Sequence, residues 1–447
     1  MSRYLITNAL IVNEAKQFIG HVLIQNKKIQ SVTTGEIPTV SSSTVVIPAD
    51  GKWLLPGIID DQVHFRDPGL THKGDLFTES RAAVAGGITS LMEMPNTIPQ
   101  TTTIKLLLQK FKLAATKSLA NYSFYIGATN DNFEELKMVD RSLTCGIKIF
   151  MGASTGNMLV NDPSSLAAIF SISDLLIAVH CEDEEIIRNK FSEYQAKFGE
   201  DIPVEYHPVI RNHEACFRSS SLAVKLAKQF NSRLHIIHVS TADELVHFET
   251  GIPSRDKRIT SEVCIHHLWF DQSDYARKGT LIKWNPAIKN LADKEALIKA
   301  VNDDRIDVIA TDHAPHTLEE KDNPYTKAPS GAPMVQHSLV AMLEYVHQGI
   351  FTIDKVVNKM CHTPADIFQI RNRGYIREGY FADLVIVDPD DPWTINKSNL
   401  YYKCGWSPLE GTSIKSRVTH TFVNGHLAYD NGIFDDSVKG KALEFNR

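Results

Sequence analysis

From Pro56 onward, short apolar runs alternate with segments whose apolar residues recur at helical spacing. This alternation predicts strands that each lead into a helix, the order typical of a parallel α/β fold. The helical periodicity is clearest in 76–85, 215–230 and 294–301. Eight apolar runs before residue 315 are predicted strands: 58–64, 88–94, 123–129, 146–150, 175–180, 234–239, 259–264 and 306–312. Eight β/α repeats predict a closed (β/α)8 barrel of the TIM type.

Both ends of the chain have a different pattern, rich in β-branched residues and turns. Residues 4–47 contain runs such as "YLITNALIV", and a helical stretch at 335–360 is followed by "REGYFADLVIVD" and "SRVTHTFVNGHLAYDNG". Asn-Gly pairs in the last run are typical hairpin turns. We expect the two ends to pack as one small β-sandwich, which divides the chain into 1–55, a barrel over 56–365, and 366–447.

Composition and charge narrow the class of protein. With 43% hydrophobic and 22% charged residues, the 447-residue chain has the composition of a globular protein. The net charge of −6 comes without a long run of either sign, which gives no electrostatic support for a nucleic acid or membrane partner. The six cysteines form no C-x-x-C pair, and residues 1–50 contain no signal-like apolar segment. We therefore expect a cytoplasmic protein with a small-molecule substrate.

Potential metal ligands occur at the ends of five predicted strands. A barrel brings the carboxyl ends of its strands to one rim, where distant residues can share a metal ion. An isolated histidine in an apolar strand is more often a core residue, but five coincident strand ends favour a metal centre. Imidazole and carboxylate ligands suit zinc. The candidates are His64, Lys148, His180, His238 and Asp312.

Lys148 is the most informative of these residues because it lies inside the apolar run "GIKIF". A buried ammonium is costly, and desolvation favours the neutral amine. A neutral lysine can react with carbon dioxide to form a carbamate, an anion able to bridge two metal ions. The alternative is an ion-paired lysine, or one whose amine extends to solvent.

Seven motifs, in order along the chain, resemble the dihydroorotases of the amidohydrolase superfamily: "PGIIDDQVHFRDPG", "AGGITSLMEMPNT", "GIKIFMGASTGNM", "VHCEDE", "HVSTA", "KWNPAIK" and "ATDHAPH". The resemblance implies one or two zinc ions and a carboxylated, metal-bridging Lys148. It also implies that His180 and His238 hold one metal, that Asp312 binds metal and moves protons, and that His64 is the second histidine of an H-x-H pair.

Gln62 departs from this pattern, because it occupies the position of the first histidine in H-x-H. A glutamine carbonyl is a neutral and weaker donor than imidazole. We expect the site of His180, His238 and Lys148 to keep its metal, and the site near Gln62 to bind metal more weakly.

The residues predicted to bind substrate are mainly neutral, with one arginine. Arg66 lies two residues beyond His64, on the same face of the strand, and its guanidinium is suited to a carboxylate. By resemblance, Asn96 and Asn285 match substrate-binding asparagines, and His316 completes the set. The implied reaction is the reversible cyclisation of N-carbamoyl-L-aspartate to L-dihydroorotate in pyrimidine biosynthesis. The polar segment 317–333 is expected to form a substrate loop.

Three alternatives stay open at this point. Arg66 could instead pair with Asp67 or Asp75. The enzyme could be a related hydantoinase, dihydropyrimidinase or allantoinase. The chain could also be a non-catalytic homologue that associates with another pyrimidine enzyme such as aspartate transcarbamoylase, an alternative raised by Gln62. Dimers are common among such hydrolases, although no interface pattern stands out in the sequence.

Overall fold

The structure, a computed structural model, describes residues 3–152, 157–172 and 174–447. Residues 153–156, within the motif "GIKIFMGASTGNM", lie outside the described residues. The strands are β1 (Arg3–Asn13), β2 (Lys16–Gln25), β3 (Lys28–Thr33), β4 (Val45–Pro48), β5 (Trp53–Pro56), β6 (Ile58–Val63), β7 (Ile88–Glu93), β8 (Asn121–Phe124), β9 (Ile126–Gly127), β10 (Ile147–Phe150), β11 (Leu176–His180), β12 (Arg233–Ile236), β13 (Ile259–Cys264), β14 (Val308–Ala310), β15 (Leu384–Asp388), β16 (Trp393–Thr394), β17 (Ser413–Ile414), β18 (Arg417–Val423), β19 (His426–Asp430) and β20 (Ile433–Phe434).

The helices lie mainly between the strands β6 to β14 and directly after them. They are α1 (Leu76–Ala85), α2 (Ile104–Lys117), α3 (Phe133–Met138), α4 (Pro163–Phe170), α5 (Glu184–Phe198), α6 (His207–Ile210), α7 (His213–Phe230), α8 (Ile265–Trp269), α9 (Tyr275–Lys278), α10 (Leu291–Asn302), α11 (Leu318–Lys321), α12 (Ser338–His347), α13 (Ile353–Val357) and α14 (Thr363–Phe368). In the described part of the chain, no helix combines the length and apolar character needed to cross a bilayer.

The predicted barrel is confirmed, with parallel pairing throughout. Strands β6, β7 and β8 form one ladder, and β9 to β14 form a second in sequence order. Strands β8 and β9 are two parts of the third barrel strand, and Tyr125 lies between them. The Tyr125 amide donates to the carbonyl of Glu93 in the first ladder, and the amide of Ile126 donates to the carbonyl of Gly146 in the second. The eighth strand closes on the first through a parallel bridge between Val63 and His313. The carboxyl ends of all eight strands therefore share one rim.

Polar caps start the helices that follow the barrel strands. Asp75 accepts hydrogen bonds from two amides in the first turn of α1, and Asp183 and Asn212 each accept one at α5 and α7. Such caps satisfy amides that have no partner within the helix. Apolar residues on the inner helix faces and the strands then form the continuous barrel core.

The two ends of the chain combine beside the barrel, as predicted. Strand β15 pairs antiparallel with β5 and with β18, while β1 pairs parallel with β5. The result is one continuous nine-stranded sheet built from both termini. It has its own hydrophobic cluster, which includes Ile11, Leu54, Ile386 and Phe422.

Two predicted barrel strands extend too far at their carboxyl ends. Strand β12 ends at Ile236, and β14 spans only Val308–Ala310. His238 and Asp312 follow these strands with φ of 42° and 46°, outside the range of extended backbone. Both side chains are thus presented by the first turn after a strand.

Candidate active site

A cavity of about 300 Å³ lies at the carboxyl ends of the barrel strands. Its wall includes every side chain singled out in the sequence, from seven strand ends and the loops that follow them. These are His64, Arg66, Asn96, Lys148, His180, His238, Asn285, Asp312 and His316, with Gln62 beside them. Residues separated by up to 252 positions (64 to 316) therefore share one site.

Lys148, on β10, reaches this cavity from inside the barrel wall. It is 1% exposed, and its Nζ has no hydrogen-bond partner among the described residues. The nearest ring is that of Phe150, whose centroid lies 4.4 Å from Nζ. Desolvation lowers the pKa of the amine to about 7. Neither alternative for this lysine fits, since it is buried and makes no salt bridge within the described part of the chain.

His180 and His238 face each other across the cavity. Nδ1 of His180 lies 2.8 Å from Nε2 of His238, and burial lowers the pKa of both rings. On its other side His180 donates from Nε2 to Glu182 Oε2 at 2.8 Å, and Arg211 also contacts this carboxylate. Burial opposes the charge of Glu182, but Arg211 and His180 hold its pKa at about 2. The anionic Glu182 fixes the proton of His180 on Nε2 and leaves Nδ1 free to bind a cation.

His64 and Asp312 form a second converging pair. His64 donates from Nδ1 to Asn96 Oδ1 at 2.7 Å, which leaves its Nε2 lone pair 3.1 Å from Asp312 Oδ1. Burial lowers the pKa of His64, so the ring favours its neutral form. A lone pair that faces a carboxylate calls for a cation between them. The Lys148 amine and these two pairs are nitrogen and oxygen groups of the kind that bind zinc.

Gln62 makes contacts unlike those of a metal ligand. Its Nε2 donates to Asp312 Oδ1 at 3.1 Å, and its Oε1 lies 3.6 Å from Cys264 Sγ. The amide thus supports Asp312 through a hydrogen bond, while its carbonyl is turned towards the thiol. The effect of Gln62 on metal binding stays a prediction.

Arg66 presents a guanidinium that has no carboxylate partner in the part of the chain that the structure describes. Its Nε donates to the carbonyl of Pro315 at 3.1 Å, and its Nη2 lies 3.0 Å from His316 Nε2. The two alternative partners are taken by lysines, because Asp67 pairs with Lys117 and Asp75 with Lys403. Burial lowers the pKa of Arg66 to about 10, so it stays charged at neutral pH. An unneutralised buried cation at a cavity wall favours an anionic ligand.

Backbone strain accompanies these side chains. Arg66, His238 and Asp312 all have positive φ, at 67°, 42° and 46°. Non-glycine residues adopt this region rarely, and such strain concentrates where a structure must aim a functional group. The three side chains that define the rim are therefore held by unusual local backbone geometry.

The segment after Asp312 forms another wall of the cavity. It contains the short helix α11 and contributes Pro329, Ser330 and Gly331 to the lining. Ser330 donates its hydroxyl to Asn285 Oδ1 at 3.0 Å. The buried amine of Lys321 donates to the carbonyls of Pro329 and Gly331 at 2.8 and 2.9 Å. These contacts place the expected substrate loop directly against the site.

Sequence reasoning missed the supporting role of Glu182. Its motif "VHCEDE" was recognised, but only the histidine received a function. The available signal was spacing, since residues two apart on an extended chain point to the same side. Glu182 and His180 are such a pair.

Comparison with known proteins identifies the family. Residues 53–428 match the Amidohydrolase family, which covers the barrel and the strands that flank it. The chain belongs to the amidohydrolase family. A dihydroorotase of Methanosarcina acetivorans is 35% identical to this amidohydrolase over 402 residues, 88% of this chain and 85% of the relative. A dihydroorotase of Pyrococcus furiosus is 34% identical over 425 residues, 94% of this chain and 91% of the relative.

Solved structures share the fold of this amidohydrolase over almost its whole length. The L-hydantoinase (dihydropyrimidinase) of Arthrobacter aurescens superposes with a TM-score of 0.90 at 26% identity, covering 97% of this chain and 98% of the other. A dihydropyrimidinase of Brevibacillus agri gives 0.87 at 22% identity, with complete coverage of both. Because the sequence identity is only 22%, the similarity to the Brevibacillus agri enzyme shows the fold alone. The curated relatives therefore carry more weight for the substrate.

Proposed function

We propose that this amidohydrolase is a zinc-dependent dihydroorotase that interconverts N-carbamoyl-L-aspartate and L-dihydroorotate. The observation that carries the proposal is the charged Arg66, which has no carboxylate partner among the described residues, in the same cavity as converging imidazole, amine and carboxylate side chains. Dihydroorotate has one carboxylate and a ring of amide groups. Arg66 would bind the carboxylate, while Asn96, Asn285 and His316 lie where they can contact the ring.

The proposed metal ligands are the two converging pairs and the lysine that lines the same cavity. His180, His238 and a carbamate on Lys148 would form the stronger site, and His64, Asp312 and the same carbamate the weaker one. Bound zinc would act as a Lewis acid towards the ring carbonyl and would make water more acidic near neutral pH. The near-neutral pKa of Lys148 supports the carbamate, because only the unprotonated amine reacts with carbon dioxide.

Asp312 is the proposed proton carrier. Its Oδ1 is engaged by Gln62 and faces His64, whereas its Oδ2 accepts no hydrogen bond from the described residues. As water adds to the ring carbonyl carbon, Asp312 would take the water proton and pass it to the ring nitrogen while the C–N bond breaks. The same steps in reverse close the ring and release water.

A substrate panel tests the proposal. Purified zinc-loaded protein is offered dihydroorotate, N-carbamoyl-L-aspartate, hydantoin and allantoin in parallel, and product formation is followed by chromatography. We expect turnover of the first two and little of the neutral rings, because only the former place a carboxylate on Arg66. Preferential cleavage of hydantoin or allantoin would show a related cyclic amidase instead. No turnover of any compound by fully metal-loaded protein would favour a non-catalytic homologue.

A further inference from the structure

A second group of potential metal ligands lies inside the barrel, below the candidate active site. Asp61 on β6, His235 on β12 and Glu262 on β13 converge, and all three side chains are fully buried. His235 Nε2 lies 3.1 Å from Asp61 Oδ2 and 3.6 Å from Glu262 Oε2. None of these residues belongs to the ligand set proposed for the cavity.

The polar atoms at the centre of this group lack hydrogen-bond partners. Both carboxylate oxygens of Asp61, Oε2 of Glu262 and Nε2 of His235 are buried without a partner among the described residues. The 3.1 Å contact between His235 and Asp61 is therefore close but not aligned as a hydrogen bond. Buried polar atoms are almost always paired, so this convergence of unpaired nitrogen and oxygen atoms favours a bound cation.

The tautomer of His235 also favours a cation in this group. The hydroxyl of Thr260 donates to the carbonyl of Leu234 at 3.2 Å, and its oxygen lies 2.8 Å from His235 Nδ1. Since the hydroxyl proton is already used, His235 must donate from Nδ1. In the neutral ring this leaves the Nε2 lone pair directed between two carboxylates. That arrangement is repulsive unless a metal cation, or a proton on Nε2, lies between the carboxylates.

We propose that Asp61, His235 and Glu262 bind a structural zinc ion in the barrel interior. Zinc lies ~2.0–2.2 Å from nitrogen and oxygen ligands, so tetrahedral ligand atoms are roughly 3.3–3.6 Å apart. The observed separations of 3.1 and 3.6 Å lie close to that range. Asp61 Oδ1 is also buried without a partner among the described residues and would make the Asp61 carboxylate a bidentate ligand. A divalent ion with two carboxylates and a neutral imidazole also gives a centre without net charge, which suits a dry interior.

The position of this ion would connect it to the active site. Glu262 accepts from the backbone amide of His238 at 3.2 Å through Oε1, which is the oxygen not directed at the proposed ion. The same Oε1 accepts from Cys264 Sγ at 3.3 Å, and Cys264 in turn contacts Gln62. An ion that fixed Glu262 would thereby stabilise the strained turn that presents His238 to the cavity.

Metal content after chelation tests the proposal. Wild-type protein and the variant Asp61→Asn are dialysed against EDTA, and zinc per chain is measured by inductively coupled plasma mass spectrometry. We expect wild-type protein to retain one chelator-resistant zinc and Asp61→Asn to retain none. The matched control is Asp60→Asn, an equal change at the neighbouring buried aspartate, which hydrogen-bonds Thr311 and lies outside the group. This control should keep the zinc.

A third variant separates the interior ion from the metal of the cavity. Lys148→Met should lose cavity metal but keep the chelator-resistant zinc. Loss of that zinc in Lys148→Met but not in Asp61→Asn would overturn the proposal.

Diffraction covers the case in which Asp61→Asn fails to fold. Anomalous scattering at the zinc edge from wild-type crystals grown with zinc should give a peak between Asp61, His235 and Glu262. The absence of a peak would mean that a proton occupies the centre instead. Burial opposes charge on His235, yet contacts with the two carboxylates raise its pKa to about 9, which would hold such a proton.

Discussion

Replacement of Lys148 by methionine should stabilise the metal-free protein while it abolishes activity. Burial lowers the pKa of this lysine from 10.5 to about 7 in the folded chain. Each pKa unit corresponds to ~1.4 kcal/mol, so the buried amine should reduce stability by about 4 kcal/mol at pH 7. Methionine has a similar length and carries no charge to desolvate. The variant should therefore gain a free energy of unfolding of that order.

The destabilisation caused by Lys148 should depend on pH. Because the folded pKa of Lys148 lies below its unfolded value, the unfolded chain binds more protons between pH 7 and pH 10.5. The destabilisation is complete below pH 7 and disappears as the pH rises towards 10.5. We expect the advantage of Lys148→Met to fall to about 2 kcal/mol at pH 9. Urea unfolding of EDTA-treated, carbonate-free wild-type and variant protein at pH 7 and pH 9 measures this difference in the free energy of unfolding.

Lys257→Met is the matched control for this experiment. Lys257 is another buried lysine, but its Nζ lies 2.7 Å from Asp307 Oδ1. Its removal leaves the buried Asp307 carboxylate without its charged partner, although Ser254 and Ser261 still donate hydrogen bonds to it. Loss of one partner of a buried ion pair typically costs about 3–5 kcal/mol. The two lysine variants should therefore change stability in opposite directions. A metal-free Lys148→Met protein that is less stable than wild type at pH 7 would refute the reasoning.

Four further substitutions test separate parts of the site. Asp312→Asn should lower kcat about 1000-fold with unchanged circular dichroism, because an amide cannot accept the proton; substantial turnover would contradict this role. Arg66→Lys should raise KM for dihydroorotate ~30-fold with a smaller change in kcat, because an ammonium cannot form the two parallel hydrogen bonds of a guanidinium. An unchanged KM would mean that the substrate carboxylate binds elsewhere. Glu182→Gln should weaken zinc binding roughly 10–100-fold in chelator competition, as His180 loses its anionic support, whereas equal affinity would make Glu182 merely structural. Gln62→His should increase the zinc retained in the cavity by up to one ion per chain, and an unaltered metal content would show that Gln62 does not limit the weaker site.

Much of the candidate site could be predicted because a parallel barrel converts strand order into spatial proximity. The candidate metal ligands were recognised within or just after apolar runs, and all parallel strands end at the same rim. The other candidates, Asn96, Asn285 and His316, came from the resemblance to the family. The local pattern around Lys148, for example, predicted both its burial and its place in the cavity. The pairing of the two termini was also predictable, since β-rich segments at both ends each lacked a partner.

Two features of the candidate active site depended on the tertiary structure alone. Strands β12 and β14 end earlier than their apolar patterns predict, because His238 and Asp312 have positive φ. Contacts made elsewhere in the fold sustain this backbone strain. The support that Glu182 gives His180 depends on Arg211, which comes from a separate segment. The spacing of His180 and Glu182 was a sequence signal, but neither the positive φ values nor the contribution of Arg211 leaves a periodic pattern in the sequence.

The third feature that depended on the tertiary structure is the convergence of Asp61, His235 and Glu262 inside the barrel. Asp60 and Asp61 are adjacent and chemically identical, yet one hydrogen-bonds Thr311 while the other faces His235 and Glu262. Which of them meets the barrel interior depends on how β6 is turned against strands about 170 to 250 residues away. The sequence determines which groups can bind a cation or carry a proton. The three-dimensional packing decides which of them share a point in space, since burial and orientation arise only when the barrel closes.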